Sequence, residues 1–241
     1  MHIYGWAFVA VAVALFLGAV MQGVIGFGMI ALAFPVIVLA DENLLPQSVL
    51  LTSIPIMLVM LKRNWNGVVW REVGWIAVGR LPGMLLAVYL LTIVSSTTLA
   101  LAGGFSVLLA IGLSLWAPPV PRNRTNLALV GGASGLFGTA IAIGGPPLGL
   151  LYQHETGPRL RSTVSVLMML GSPVSLTLLA LSGQVSKTDV RTGLALIPFA
   201  LAGMALAPRV LPWFDQRLRT VVLVACSISA IAAMAKIVLV G

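Results

Sequence analysis

Charge is what this chain has least of. Of its 241 residues, six are Asp or Glu and 14 are Lys or Arg, so charged side chains make up 8%, against about 25% in a soluble domain. So few charges cannot cover the surface of a soluble protein of this size. A soluble enzyme, an acidic binding module and a disordered chain are therefore excluded. Cysteine is limited to Cys226, inside an apolar run, where it reads as a small core residue. One thiol makes no disulfide framework and no cysteine metal cluster. Histidine is equally scarce. His154, beside Glu155, falls near an expected membrane edge and reads as a loop residue rather than a proton relay. No cofactor and no metal are implied. What is abundant is apolar: 59% of residues, with 25 glycines besides. The chain reads as an integral membrane protein whose partners are the lipid bilayer and a small solute. The net charge of +8 is spread as single cations and close pairs between long apolar runs. That is the pattern of membrane-protein loops, not of a nucleic-acid surface.

A membrane helix needs about 20 mainly apolar residues. Runs that qualify, or nearly so, are 3–21, 24–40, 44–61, 72–93, 97–117, 126–153, 162–182, 190–208 and 218–239. They are long and lack polar/apolar alternation, so helices are expected and strands are not. The stretch Met1 to Trp6 carries no cationic n-region, so a cleaved signal peptide is not expected.

Lysine and arginine orient the spans. If 126–153 enters the membrane and returns, the cytoplasmic side holds Lys62, Arg63, Arg71, Arg122, Arg124, Arg159, Arg161, Arg209, Arg217 and Arg219. The outside then holds only Lys187, Arg191 and Lys236. A single crossing divides them far more evenly, so the in-and-back reading obeys the positive-inside rule better. The same reasoning makes 1–40 an in-and-back pair and places both termini outside.

These two segments also match each other. At an offset of 112, Gly23 falls on Gly135, Gly26 on Gly138, Pro35 on Pro147, Leu39 on Leu151, Pro46 on Pro158 and Ser53 on Ser165. Later, Leu81-x-Gly83-Met84 matches Leu201-x-Gly203-Met204 at an offset of 120. The expected fold is an all-α polytopic membrane protein of two inverted repeats. Each repeat is an interrupted helical hairpin followed by three transmembrane helices. The first repeat spans 1–117, a cytoplasmic link spans 118–125, and the second repeat spans 126–241. Inverted repeats with broken helices are the architecture of secondary transporters, with the site near the midplane where the repeats meet.

The chemistry is expected at the breaks. Gln22-Gly23-Val24-Ile25-Gly26-Phe27-Gly28 is one; Ser134-Gly135-Leu136-Phe137-Gly138-Thr139, continuing to Gly144-Gly145-Pro146-Pro147, is the other. Glycine opens backbone angles closed to other residues, and proline removes a donor. A helix broken inside the membrane presents free N–H groups and the positive end of its dipole, which attract anions. Gln22, Ser134 and Thr139 flank the breaks as hydroxyl or amide donors, and the repeat-related Ser53 and Ser165 are candidates for the same cavity. Arg80 lies nine residues past Arg71 in an apolar run. It is either a fixed cation for the anion or a side chain snorkelling to the surface. All six carboxylates (Asp41, Glu42, Glu72, Glu155, Asp189, Asp215) fall in links or at span ends. An intramembrane proton acceptor is thus not evident, and the membrane potential alone suffices to drive an anion out.

The stretches GAVMQGVIGFGMIALAFPVIVL (Gly18 to Leu39) and GGASGLFGTAIAIGGPPLGLLY (Gly131 to Tyr152), together with the two-half layout, resemble the TauE/SafE sulfite exporters, also called the 4-toluene sulfonate uptake permease family. Members carry Gly-x2-Gly-x-Gly followed by proline near the start of each half. Gly23, Gly26, Gly28 and Pro35 match it in the first copy; Gly135, Gly138 and Pro147 match in the second, where Ala140 replaces the third glycine and Gly144 and Gly145 stand nearby. The resemblance implies transport of a sulfur-containing anion such as sulfite or an organosulfonate across a bacterial inner membrane. The competing reading is a membrane scaffold whose small residues serve only close helix packing. A membrane enzyme is disfavoured, because no nucleophile–base pair or metal-ligand cluster lies within a span.

Overall fold

The computed structural model describes residues 5–26, 28–41, 44–95, 120–152 and 157–213, plus positions 97, 98, 101, 102, 104–106, 108 and 112. The expected span 218–239 and most of 97–117 lie outside the described residues. So do Glu42, His154, Glu155, Asp215, Arg217, Arg219, Cys226 and Lys236. Among the described residues there is no strand. The chain forms α1 (Gly5–Ile25), α2 (Met29–Asp41), α3 (Gln47–Asn64) and α4 (Trp70–Ile93), then α5 (Arg124–Ala140), α6 (Gly145–Leu151), α7 (Gly157–Leu181) and α8 (Lys187–Val210).

Helix is the dictated choice because its backbone groups are satisfied within the segment, which lipid requires. Among the described residues four helices are long and apolar enough to cross a membrane: α1, α4, the Arg159–Leu181 part of α7, and α8. With 13 residues, α2 reaches about 20 Å at 1.5 Å per residue, short of the roughly 30 Å hydrocarbon core. The seven residues of α6 reach half that. Helix starts are marked by local caps. Asn123 Oδ1 accepts from Asn126 N–H at 2.7 Å, and Ser186 and Asp189 form a reciprocal capping box before α8.

Helices approach closely wherever glycine removes a side chain. On α4, a β-carbon at Gly79 or Gly83 would sit 1.9 Å from Ala128 O or 2.1 Å from Gly132 O of α5. Reciprocally, one at Gly131 or Gly135 would sit 2.2 Å from Ile76 O or 2.3 Å from Arg80 O of α4. This is a small-xxx-small contact on both partners. Helix α8 meets α1 the same way, with Gly203 against Phe16 O at 2.1 Å and Gly23 against Ala207 Cβ at 2.4 Å. Helix α3 packs on α7 and α8. One core gathers Leu15, Phe34, Ile37, Ile56 and Met60; a second gathers Val73, Ile76, Leu148, Tyr152 and Leu167. The outward faces are apolar too: Leu85, Leu86, Tyr89 and Ile93 of α4 are exposed, as a lipid-facing helix requires.

Near the start of α4, Glu72 holds the second core together. Its carboxylate accepts from Tyr152 Oη at 2.6 Å and pairs with Arg122 at 3.8 Å and Arg159 at 3.7 Å. Arg122 also lies over the Tyr152 ring at 5.7 Å. One carboxylate thereby ties α4 to the segment before α5, the end of α6 and the start of α7. Glu72→Gln removes the charge that both arginines face, with an expected loss of about 1 kcal/mol. A drop of a few degrees in the melting point of the purified protein in detergent, with the fold retained, is the expected result.

Candidate functional site

Both glycine stretches interrupt helix. The first break falls at Gly26 and Gly28, between α1 and α2. Gly26 has φ +115° and Gly28 has φ +113°, left-handed angles that a side chain resists. The second break spans 141–144, between α5 and α6. Here Ala142 takes φ +60°, an uncommon setting for a residue with a β-carbon. Ala140, which stands where the resembling pattern has its third glycine, is the last residue of α5, so the turn falls beyond it. Pro146 and Pro147 occupy the first turn of α6, where a missing N–H costs little.

Side chains stitch each break. Gln22 Oε1 accepts from Met29 N–H at 3.0 Å, and its Nε2 donates to Gly26 O at 3.3 Å. Its counterpart at the 112 offset, Ser134, donates to Gly144 O at 2.6 Å. Arg161 Nη1 donates to Val24 O in the last turn of α1 at 2.9 Å, and its Nε to Asn64 Oδ1 at 3.4 Å. Amide donors are consequently scarcer than the sequence predicts. The Met29 N–H is engaged by Gln22, and Pro146 and Pro147 have none. The N–H groups of Gly26, Ile141 and Ile143 donate to carbonyls of the preceding helices, Gln22 O for the first and Phe137 O for the other two.

Between the breaks lies a cavity of about 40 Å³. Gln22, Gly28, Ser53, Arg80, Gly138 and Gly145, all singled out from the sequence, line it together with Met57, Met168, Ser172 and Ser175. Ser53 lies 3.4 Å from Ser172, and Thr139 shares a hydrogen bond with Ser175 at 2.6 Å. Thr139 and Ser134 thus back the wall rather than face the space.

Among the described residues Arg80 is the one charged side chain on the cavity wall. It is 4% exposed, which rules out snorkelling. Nη1 donates to Ser134 Oγ at 2.8 Å, while Nε has no partner. The guanidinium lies over Gly171, whose added β-carbon would come within 2.3 Å of Nη2 and 2.8 Å of Cζ; one at Gly138 would stand 3.6 Å from Nη2. Among the described residues no carboxylate pairs with Arg80. Glu72 is committed to its own cluster, Asp189 caps α8, and Asp41 ends α2. An unpaired buried cation costs several kcal/mol and is retained in lipid where it serves a function.

Other expected site residues lie elsewhere. Gly23 and Gly135 are helix-packing positions on α1 and α5, against α8 and α4. Gly26 faces Arg161, with a β-carbon there 3.0 Å from Arg161 Cγ. Gly144 supplies the carbonyl that Ser134 holds. Pro35 is buried within α2, and Pro147 sits in α6. Ser165 donates to Arg161 O on its own helix and does not reach the cavity; Ser172 stands there in its place. The reason is a drift in the offset. In space Ser53 lies against Ser172, 119 residues later, and not against Ser165, 112 later. Ser172, Ser175 and Gly171 were missed for that reason. Their signal was the spacing Met168, Gly171/Ser172, Ser175, one face of a helix.

A family model described as "Sulfite exporter TauE/SafE" matches residues 10–233. No curated protein and no solved structure matches the chain. The family is one of transporters, in keeping with the apolar helices and with the buried cation between two broken ones. The chain is a multi-pass membrane protein belonging to the sulfite exporter TauE/SafE family.

Proposed function

We propose that the protein exports a small sulfur oxyanion, sulfite being the best fit, from a bacterial cell across its inner membrane, by alternating access at the cavity between the two helix breaks. One observation carries this reading: a buried guanidinium with no acidic partner among the described residues opens onto that cavity. An oxyanion there meets Arg80, the hydroxyls of Ser53, Ser172 and Ser175, and the amide of Gln22. Charge-assisted bonds of that kind are about twice as strong as neutral ones. The size of the cavity favours a small solute. The cavity, about 40 Å³, has room for a small solute or a few waters. That suits the four heavy atoms of sulfite better than a bulky aromatic sulfonate.

We take the two halves as inverted repeats. The matched glycine–proline frames support this, and so does the pairing of elements: the first helix of each half packs on the fourth element of the other, α1 on α8 and α5 on α4. Both termini then face outside, by the distribution of lysine and arginine. The inside-negative potential favours anion exit by about 2.3 kcal/mol per charge per 100 mV.

Gly138→Leu tests the site against a role in packing alone. A β-carbon there stands 3.3 Å from Gly144 Cα and 3.6 Å from Arg80 Nη2, so the leucine side chain extends into the cavity. Sulfite flux in proteoliposomes is expected to fall about tenfold or more, with normal membrane insertion and a normal elution profile. Undiminished flux rejects the cavity as the site. Failure of the native protein to move any solute would favour a scaffold.

A further inference from the structure

We infer that Arg80 is the charge that moves through the membrane field in the transport cycle. It travels neutralised when the carrier is loaded and bare when the carrier returns, so exchange of anions outruns net export. This rests on the export reading above. It adds which half of the cycle senses voltage and what charge the bound anion carries.

The argument is one of charge balance at a buried site. Among the described residues the cavity wall has one formal charge, Arg80, with Nε unpartnered and 4% exposure. The other polar or polarisable groups described on the wall are neutral: Gln22, Ser53, Ser172, Ser175 and the three methionines Met29, Met57 and Met168. Among the described residues no carboxylate pairs with the guanidinium, and Glu72 is held by Arg122, Arg159 and Tyr152. A monovalent oxyanion, hydrogensulfite in the case of sulfite, brings the site to neutrality. A dianion would leave a net negative charge in a low-dielectric space, at a large desolvation cost. When the anion leaves, the site holds an uncompensated positive charge.

In alternating access the water path to the site switches sides. A charge fixed at the site therefore crosses the field even if it scarcely moves in space. The loaded carrier, neutral overall, reorients without sensing the potential. The empty carrier moves one positive charge inward on its return, which an inside-negative potential assists. The sum is one monoanion out per cycle, with the voltage acting on the return. Without voltage, or against it, the empty return is slow, and a second anion on the far side that rebinds and neutralises Arg80 relieves it.

The test uses the purified full-length protein in proteoliposomes, with labelled sulfite and potassium-set voltages. Two modes are compared: net efflux into sulfite-free medium, and exchange with equal unlabelled sulfite on both sides. The expected result is exchange several-fold faster than net efflux at zero voltage and flat over about 100 mV. Net efflux is expected to rise several-fold over the same range, with a ceiling of about tenfold per 60 mV for one full charge. Arg80→Lys should keep exchange flat, because the charge is kept. Arg80→Gln, in whatever flux remains, should make exchange voltage-sensitive, because its loaded site is negative. Exchange as voltage-dependent as net efflux, or no acceleration by sulfite on the far side, overturns the inference while leaving export intact. No sulfite flux in either mode overturns the export reading and this inference with it.

Discussion

Arg80→Met is expected to lower anion flux by about 100-fold while leaving the protein as stable as before or more so. Flux falls because the one charged donor described at the cavity is lost. A buried charged contact to an anion is worth about 2–5 kcal/mol, and 2.7 kcal/mol is about a factor of 100. Stability behaves in the opposite sense. In the empty protein the guanidinium is 4% exposed and carries one hydrogen bond, to Ser134, with Nε unpartnered. Methionine fills much of the same channel beside Gly171 without a charge to desolvate, and such replacements are often neutral or stabilising. Ser134 keeps its bond to Gly144 O. A functional site paid for in stability has this signature, loss of activity with a higher melting point. Flux assays and thermal unfolding in detergent check the two halves separately. Native-like flux in Arg80→Met would remove the anion site from this cavity, and a sharply lower melting point would mark Arg80 as a structural residue instead.

The second large effect is structural. Gly83→Leu is expected to destabilise the protein by about 3 kcal/mol or more, or to prevent its assembly. Its β-carbon alone would stand 2.1 Å from Gly132 O and 2.9 Å from Leu136 N, both backbone atoms that cannot swing aside. Helices α4 and α5 must then separate, and the overpacking cost is that of a displaced helix pair. Because Arg80 rides on α4 and its partner Ser134 on α5, separation also takes the site apart. Gly132→Ala is the control on the same surface. Its β-carbon would meet nothing nearer than Gly79 O at 3.5 Å, an ordinary contact. The expected outcome is a normal yield of folded Gly132→Ala and little or none of Gly83→Leu, measured by fluorescence-detected size exclusion. Equal yields would mean that α4 and α5 are not packed as described.

The two predictions separate roles that the sequence leaves merged. Read in sequence, Gly23, Gly26, Gly28, Gly135, Gly138, Gly144 and Gly145 are one kind of signal. In space they divide. Gly23 and Gly135 serve helix contacts, Gly26 and Gly28 hold left-handed turns, Gly28, Gly138 and Gly145 line the cavity, and Gly144 offers its carbonyl to Ser134. The reason is that a missing β-carbon has three distinct uses, and only the neighbour decides which applies. Arg80 shows the same division. Depth along the helix was readable from its spacing to Arg71, whereas its confinement over Gly171 of α7, 91 residues later, was not.

The sequence alone determined that this is a helical membrane protein, because 8% charge and long apolar runs leave lipid as the solvent and helix as the backbone solution. It also located the two interruptions, since glycine and proline act on local dihedral angles. Only the tertiary structure decided which polar groups converge. The donors at the cavity are a guanidinium from α4, hydroxyls from α3 and α7 and an amide from α1, brought together by helix crossings. Those crossings depend on long-range packing of small residues, which no local pattern encodes.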